Sequence, residues 1–333
     1  MPIAVRLWFA LTVVVSGGFA VRASGADPAQ TAHHWNVGRT VYVEWREEVR
    51  TSVDAEWLPG GESSEVIRST WGYWQTVTAS QPDNSVRIIA RLDRIALEGR
   101  VDGAPVMIDT DLPLERGSET GAGQALLRAA LGESITMDVS FAGRVTKWAG
   151  LDTLRATIES AATTEHARAD PAYGLLLREL TEQSQRLRWE QHFALLGFDA
   201  PTTGQSWTRA FRDGPRVIEL RYRVEDVNTE AGRRLVQIAY AGTNQQEPRT
   251  TTEGTPEPVQ FEYGASRIEG AAVYDITRGL LRGQQSTLDR FRTTAVDPET
   301  GQTRRAFTRR TSEAKFIVQE EAERRAQRAP RKQ

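Results

Sequence analysis

The chain has 333 residues, of which 42 are Lys or Arg and 44 are Asp or Glu, and its formal net charge is −2 at pH 7. A general nucleic-acid-binding protein needs an excess of basic residues on one face, so this balance argues against that class. Cysteine is absent, which excludes disulfides and thiolate metal sites. The stability of the folded chain must therefore come from its core.

The first residues have the layout of a secretory signal peptide. Arg6 precedes an apolar run from Leu7 to Val15, and small residues lead to Ala26. A spanning helix needs about 20 apolar residues, and residues 16–18 interrupt this run, which disfavours the alternative of a membrane anchor. We expect residues 1–26 to be removed on export. The mature chain, without a transmembrane segment, is expected in the periplasm or outside the cell.

Residues 27–150 are predicted to form a first antiparallel β unit. Alternation is clearest in "VYVEWREEVRTSV", residues 41–53. A period of two over a dozen residues predicts a long strand with one buried face and one face in water. The predicted buried face carries Val41, Val43, Trp45, Val49 and Val53. The predicted wet face carries Tyr42, Glu44, Arg46, Glu48 and Arg50.

Further strand signals follow along this first unit. Residues 67–79 alternate after the turn-forming stretch "LPGGESS", and another strand opens after Pro82. At Ile95 and Leu97 the apolar residues change parity, which predicts a β-bulge or a strand end. After Asp111, "ERGSETGAGQ" is predicted to be a loop and "QALLRAAL", residues 124–131, a helix.

A helical insert is predicted over residues 151–200, between two β units. Leu151, Leu154 and Ile158 keep helical spacing, and Asp170-Pro171 is typical of an N-cap followed by the first helical residue. The second antiparallel β unit covers residues 201–319. Residues 320–333 are polar, and we expect a frayed helix or disorder there.

The two β units share an outline, because a strand, a glycine turn and a strand occur around Gly143 and again around Gly279. A tandem duplication explains this, although antiparallel meanders also resemble each other without a common origin. We predict a mainly β fold (α+β) of two curved antiparallel β-meander units separated by the helical insert. Strands do not alternate with helices, which excludes a doubly wound α/β fold.

Several motifs resemble a domain-of-unknown-function family of exported bacterial β-rich proteins. They are the opening Gly38 to Trp45, the stretch "GESITMDVSFAGRVTKWAGLDTL", the set Pro201, Gly204 and Trp207, and the late unit Gly270, Tyr274, Asp275 and Gly279. The resemblance implies no activity, cofactor or catalytic residue. The layout is also similar to the half-barrels of periplasmic lipoprotein carriers, in which helices close a curved sheet over an apolar cavity.

No constellation for catalysis or metal binding stands out. The four histidines, His33, His34, His166 and His192, do not form a metal-ligand motif. "GSETGAGQ" lacks the ending of a phosphate-binding loop, and no G-x-S-x-G is present. Carboxylates are many, but a hydrolase built on them needs a geometry that sequence does not supply. We predict no catalytic, cofactor or metal residues and a protein that is not an enzyme.

An aromatic group formed by Trp57, Trp71, Tyr73 and Trp74 supplies the candidate contacts with a ligand or partner. Trp71 and Tyr73 share one strand face and Trp74 points to the other. The favoured explanation is structural, with one side in the core and the other packed under a helix or loop. The alternatives are a platform for a saccharide or apolar ligand and a partner interface. We expect non-catalytic binding of an apolar small molecule, a lipid or an envelope component. The alternatives are a structural or interaction protein of the envelope, through the tail from Arg324 to Lys332, and a carboxylate-dependent hydrolase.

Overall fold

The computed structural model confirms the mainly β fold with a helical insert. It describes residues 36–55, 62–83, 85–101, 104–112, 120–140, 143–194, 201–213, 216–230, 232–246, 249–251, 259–263, 266–277, 280–296 and 303–328. The first half contains the strands β1 (Thr40–Ala55), β2 (Glu62–Ser80), β3 (Val86–Val101), β4 (Ala104–Asp109), β5 (Ser134–Val139) and β6 (Val145–Ala149). The second half contains β7 (Ser206–Asp213), β8 (Arg216–Glu230), β9 (Arg233–Gln246), β10 (Arg249–Thr251), β11 (Val259–Tyr263), β12 (Ser266–Asp275), β13 (Leu280–Val296) and β14 (Thr303–Glu320).

The described helices are short and lie mainly between the two halves. They are α1 (Thr120–Ala129), α2 (Leu151–Ala161), α3 (Glu165–Ala169), α4 (Pro171–Glu179), α5 (Glu182–Ala194) and α6 (Glu321–Arg328). The predicted N-cap of α4 is confirmed, because the Asp170 side chain accepts a hydrogen bond from the Ala172 amide at 2.8 Å and Pro171 opens the helix. None of the described helices is both long and apolar enough to cross a membrane.

The two antiparallel halves join into one hydrogen-bonded path. Its strand order is β6-β5-β3-β2-β1-β14-β13-β12-β9-β8-β7, with β4 on β3 and β11 on β13. The last long strand, β14, pairs with the first, β1, so that Val43 faces Val318 and Trp45 faces Phe316. The chain therefore runs outward through the first half, crosses in α2–α5, and returns inward through the second half.

The sheet curves around α5. This helix contacts β6 and β7, which are the two terminal strands of the path, and its side chains also reach the central strands β2 and β14. One element can touch both ends and the centre of the path only if the sheet bends toward it. The inward side chains of both halves and those of α2, α4 and α5 form one buried apolar cluster. We call the inward side of the sheet the concave face.

Two local predictions have clear outcomes. The parity switch at Ile95 is confirmed as a bulge, since the pairing of β2 with β3 shifts between Gly72 and Tyr73 and leaves Asp93 as the additional residue.

The predicted loop up to residue 124 is wrong at its end, because α1 already begins at Thr120 and ends at Ala129. Gly123 belongs to this helix, and its lack of a side chain allows it to approach Ile108 and Asp170 closely.

Gly150 makes the sharp transition from β6 to α2. Its φ is +93°, in the left-handed region, and a Cβ at this position would overlap the carbonyl oxygen of Ser134. We expect Gly150→Ala to lower the free energy of unfolding by about 2 kcal/mol or more, because the left-handed conformation alone costs an L-residue about 1–2 kcal/mol. Urea unfolding of the variant measures this loss, and an unchanged midpoint contradicts it. Gly204→Ala is the control, with φ +86° but nothing within 4 Å of its added Cβ.

Candidate functional site

An aromatic cluster occupies the centre of the concave face. Trp45 on β1 lies opposite Trp71 on β2 in the strand register, and Trp45 packs edge-on against Phe316 at 4.0 Å between ring centroids. Tyr73 on β2 packs against Trp189 of α5 at 5.3 Å. All of these side chains are buried. Period-two alternation brings Trp71 and Tyr73 to the same face, and α5 then covers them.

The buried face of α5 is largely polar. Gln185, Arg188, Trp189 and His192 are spaced i, i+3, i+4 and i+7, so they lie on one side of the helix. All four are buried, with exposed fractions of 0%, 7%, 3% and 3%. An apolar sheet face normally selects an apolar helix face. This helix instead presents three polar side chains to a cluster of aromatic rings.

Arg188 lies between two tryptophan rings. Its guanidinium carbon is 5.2 Å from the Trp45 ring centroid and 5.7 Å from that of Trp71, which favours a cation–π interaction. The Nη2 atom donates to the Glu179 carboxylate at 2.8 Å and lies 3.9 Å from Glu47. Burial, and then repulsion from Glu179, raise the pKa of Glu47. The charged groups are therefore held in a poorly hydrated environment.

His192 is buried among aromatic rings. Its imidazole stacks on Phe316 at 5.2 Å, and it lies 5.1 Å from Phe193 and 5.9 Å from Trp189. Burial lowers the pKa of His192 to about 3, because the apolar surroundings disfavour the imidazolium. The side chain is therefore neutral at physiological pH, and it is neither a cation nor an effective general base there.

Several buried polar atoms at this interface have no hydrogen-bond partner within the described part of the chain. They are Nε1 of Trp71, Nε and Nη1 of Arg188, Nε1 of Trp189 and Nδ1 of His192. Each buried donor or acceptor left unpaired costs about 1–3 kcal/mol. The contact between α5 and the concave face is therefore weaker than its buried apolar area alone suggests.

A shallow, partly open recess lies between β2, β3, β4 and α4. It is lined by Ile67, Leu97, Val106 and Leu175 among others, it is too narrow to hold a water molecule, and none of its lining residues belongs to α5. Binding sites for drug-sized ligands are typically about 300–1,000 Å³. This recess is therefore not a site for such a ligand.

The structure separates the aromatic residues predicted as contacts. Trp71 and Tyr73 lie on the concave face under α5, whereas Trp74 lies on the outer face, 5.2 Å from the Tyr42 ring centroid. Trp57 lies outside the described residues. Sequence reasoning missed Gln185 and Arg188, because polar residues on a helix normally indicate its wet side. The sequence did offer one signal: Trp189 and Phe193 are at helical spacing from these polar residues, which places them on the same side of α5.

The outer face of β1 and β2 carries a second cluster, where the predicted wet face is wrong for two residues. Tyr42 and Glu44 are 0% and 2% exposed. Arg94 covers them, donating to Glu44 at 3.4 Å and to Asp109 at 2.7 Å, and α6 lies over the same place. The bulge at Asp93 turns Arg94 to this side. Period-two patterns cannot reveal such covering by distant elements.

Most of the remaining histidines and part of the glycine-rich segment lie beyond the part of the chain that the structure describes. His33, His34 and residues 117–119 lie outside the described residues, and residues 120–124 begin α1. His166 belongs to α3. Among the described residues, no group of three or more His, Asp or Glu side chains is arranged to hold a metal ion.

Comparisons with known proteins add little to this geometry. No protein-family model matches the chain, and no curated protein matches it. A solved structure with a weak likeness is that of Pseudomonas aeruginosa OccK2 (OpdF), at 7% identity and a TM-score of 0.16, covering 85% of this chain and 99% of that chain. So low a TM-score carries no argument. The resemblance to a domain-of-unknown-function family therefore stays a prediction.

Proposed function

We propose that this chain is an exported, non-catalytic protein that binds an apolar ligand, such as an acyl chain, on its concave face. In this proposal α5 is a displaceable cover, and the ligand takes its place against Trp45, Trp71 and Tyr73. The observation that carries the proposal is the polar face that α5 presents to these rings, with unpaired buried atoms on Arg188 and His192. Export rests on the predicted leader at residues 1–26.

Two contributions support exchange of the helix for an acyl chain. When α5 leaves, Arg188, Trp189 and His192 regain hydrogen bonds to water, which returns about 1–3 kcal/mol for each atom that was unpaired. A ligand contributes about 0.8 kcal/mol for each methylene it buries. The ion pair of Arg188 with Glu179, its cation–π contacts, and the apolar contacts of Trp189 and Phe193 oppose the exchange.

Displacement of α5 must break its side-chain hydrogen bonds to neighbouring segments. At its start, Thr181 caps the helix by accepting from the Ser184 amide at 3.2 Å, and Gln185 donates to the Glu179 carbonyl at 3.0 Å. Toward its end, Glu190 accepts from the Val145 amide at 3.1 Å. Elements that open for ligands come from the least stable part of a fold. The unpaired polar atoms support the proposal that α5 is such an element.

His192→Leu tests the proposal, because leucine keeps the volume of the side chain and removes the unpaired nitrogen. We expect amide hydrogen exchange in α5 to slow by about 5–150-fold, which is the factor that corresponds to about 1–3 kcal/mol. Uptake of a fluorescent fatty acid, followed by titration, should weaken by a similar factor, since the cover becomes harder to displace.

Arg186→Leu is the matched control on the same helix. Arg186 pairs with Glu182 at 2.6 Å and its side chain is 39% exposed, so its replacement should leave both the exchange rate and the fatty-acid affinity nearly unchanged. Native mass spectrometry of protein purified without detergent provides the direct test. A wild-type chain that carries no lipid and takes up no fatty acid contradicts the proposed function.

A further inference from the structure

The outer face holds a guanidinium group in a built pocket. Arg324 of α6 places its guanidinium carbon 4.2 Å from the ring centroid of Tyr42. Its Nη2 atom donates to the Tyr42 hydroxyl at 3.0 Å and to the Asp111 carboxylate at 3.4 Å. Arg324 is 7% exposed and Tyr42 is fully buried. An aromatic face with an acceptor at its edge is the geometry that a planar guanidinium recognises.

The sheet makes the space for this pocket at Gly72. This residue lies opposite Glu44 on β1 and Arg94 on β3, and a Cβ there would overlap the Tyr42 hydroxyl. Because Gly72 has no side chain, the Tyr42 ring can pack against the backbone of β2. Trp74 packs edge-on against the Tyr42 ring, with 5.2 Å between the ring centroids. The ring is therefore held rigidly, with one face left for a cation.

The carboxylates around the pocket make it negatively charged, which favours a cation there. Glu44, Asp109 and Asp111 all lie within ion-pair distance of Arg94, which they share, and Glu44 also pairs with Arg46. The Asp93 carboxylate acts on Tyr42 from the bulge. Glu44, Asp109 and Asp111 thus share the guanidinium groups of Arg94 and Arg46, and Arg324 supplies a third guanidinium. Its removal leaves these three carboxylates, of which Glu44 is buried, with less positive charge beside them, which is costly.

The helix that carries Arg324 is short and has few apolar side chains. The sequence of α6 is "EAERRAQR", whose only apolar side chains are alanines. Isolated helices shorter than about 12–15 residues are marginal in water. Among positions 321–324 only Arg324 is buried, and α6 contacts β1 and β14, which are central strands of the path. Within these four positions, Arg324 therefore makes the buried contact that fixes α6 on the sheet.

We propose that the pocket formed by Tyr42, Glu44 and Asp111 is a recognition site for an arginine side chain. Arg324 occupies the site within the chain, and an arginine-bearing segment of a partner protein occupies it when α6 leaves. The tethered helix competes at an effective concentration in the millimolar range, so a partner needs further contacts or a high local concentration. A lysine is a poorer occupant, because its compact and strongly hydrated ammonium stacks less well on the Tyr42 ring than a planar guanidinium does.

Chemical rescue tests the specificity of the pocket. Arg324→Ala should lower the melting temperature, and methylguanidinium at tens of millimolar, on the order of the effective concentration above, should restore most of the loss. Methylammonium at the same concentration and ionic strength should restore little. Arg325→Ala, which alters the neighbouring residue of α6, is the control and should show no selective rescue. Absence of rescue, or equal rescue by both cations, overturns the proposal.

Binding in trans tests the partner. A labelled peptide with the α6 sequence should bind the full-length Arg324→Ala chain in an anisotropy titration, and the peptide with lysine at its fourth position should bind at least tenfold more weakly. If Arg324→Ala does not fold, Arg324→Lys keeps the charge and serves as the acceptor chain. Equal binding of both peptides, or binding of neither, overturns the proposal. These results are independent of fatty-acid uptake on the concave face.

Discussion

Replacing Trp71 with alanine should lower the free energy of unfolding by about 3–5 kcal/mol, the usual range for deletion of a large buried aromatic side chain. Trp71 is fully buried and lies opposite Trp45 and Ile95 in the strand register. Its ring is also one of the two that flank the Arg188 guanidinium. Loss of the Trp71 side chain leaves a cavity and also removes one cation–π contact of the buried Arg188 guanidinium. Equilibrium unfolding in urea or guanidinium chloride measures the change.

Trp74→Ala is the matched control, because Trp74 is a neighbour on the same strand with a half-buried side chain on the outer face. We expect a loss of about 1–2 kcal/mol, since a partly exposed ring buries less area. Trp71→Ala should also weaken fatty-acid binding, and Trp74→Ala should not. Equal destabilisation by the two substitutions contradicts the assignment of Trp71 to the central core.

The free energy of unfolding should depend on pH through the protonation of His192. The pKa of the imidazole is near 6.5 in the unfolded chain and about 3 in the folded chain. Above pH 6.5 the group is neutral in both states and contributes no pH dependence. Below pH 6.5 only the unfolded chain binds the proton, so the free energy of unfolding falls by about 1.4 kcal/mol per pH unit, until the pH approaches 3.

His192→Leu should remove this slope. Other groups near α5 also titrate, and burial raises the pKa of both Glu47 and Glu190, so acid favours the folded state at these carboxyls and opposes the effect of His192. The difference between wild type and His192→Leu cancels their contributions. Urea unfolding of both chains from pH 7.5 to 4.5 measures it, and parallel curves refute a histidine that is neutral in the fold. Protection against hydrogen exchange in α5, corrected for the pH dependence of the intrinsic amide exchange rate, should fall over the same range in wild type alone.

The strand faces of β1 show what a local pattern can predict. Val43 and Trp45 were expected to be buried and they are, because side chains alternate along any extended backbone whatever its neighbours. The bulge at Asp93 was equally readable, since an additional residue must reverse the alternation after it. The cap of α4 at Asp170 depends on hydrogen bonds between residues two positions apart. All three are local properties.

The outer face of the same strand shows where a local pattern stops. Tyr42 and Glu44 have the parity of water-facing residues, but Arg94, Asp109 and Arg324 cover them. Arg324 is 282 positions from Tyr42 in sequence. No periodicity in β1 contains the information that a C-terminal helix lies above it. The same limit explains α5, whose polar face is buried by strands from both halves of the chain.

The amino-acid sequence by itself determined the mainly β character, the faces of the early strands, the helical insert and the absence of thiol chemistry, because each follows from residue type or from spacing along a few neighbouring residues. Only the folded chain reveals that β14 returns to β1, that the sheet bends around α5, and that Arg188 and Arg324 become buried. Those outcomes depend on pairing and packing between distant segments. Burial of a polar side chain is a property of its surroundings, and only the folded chain assembles them.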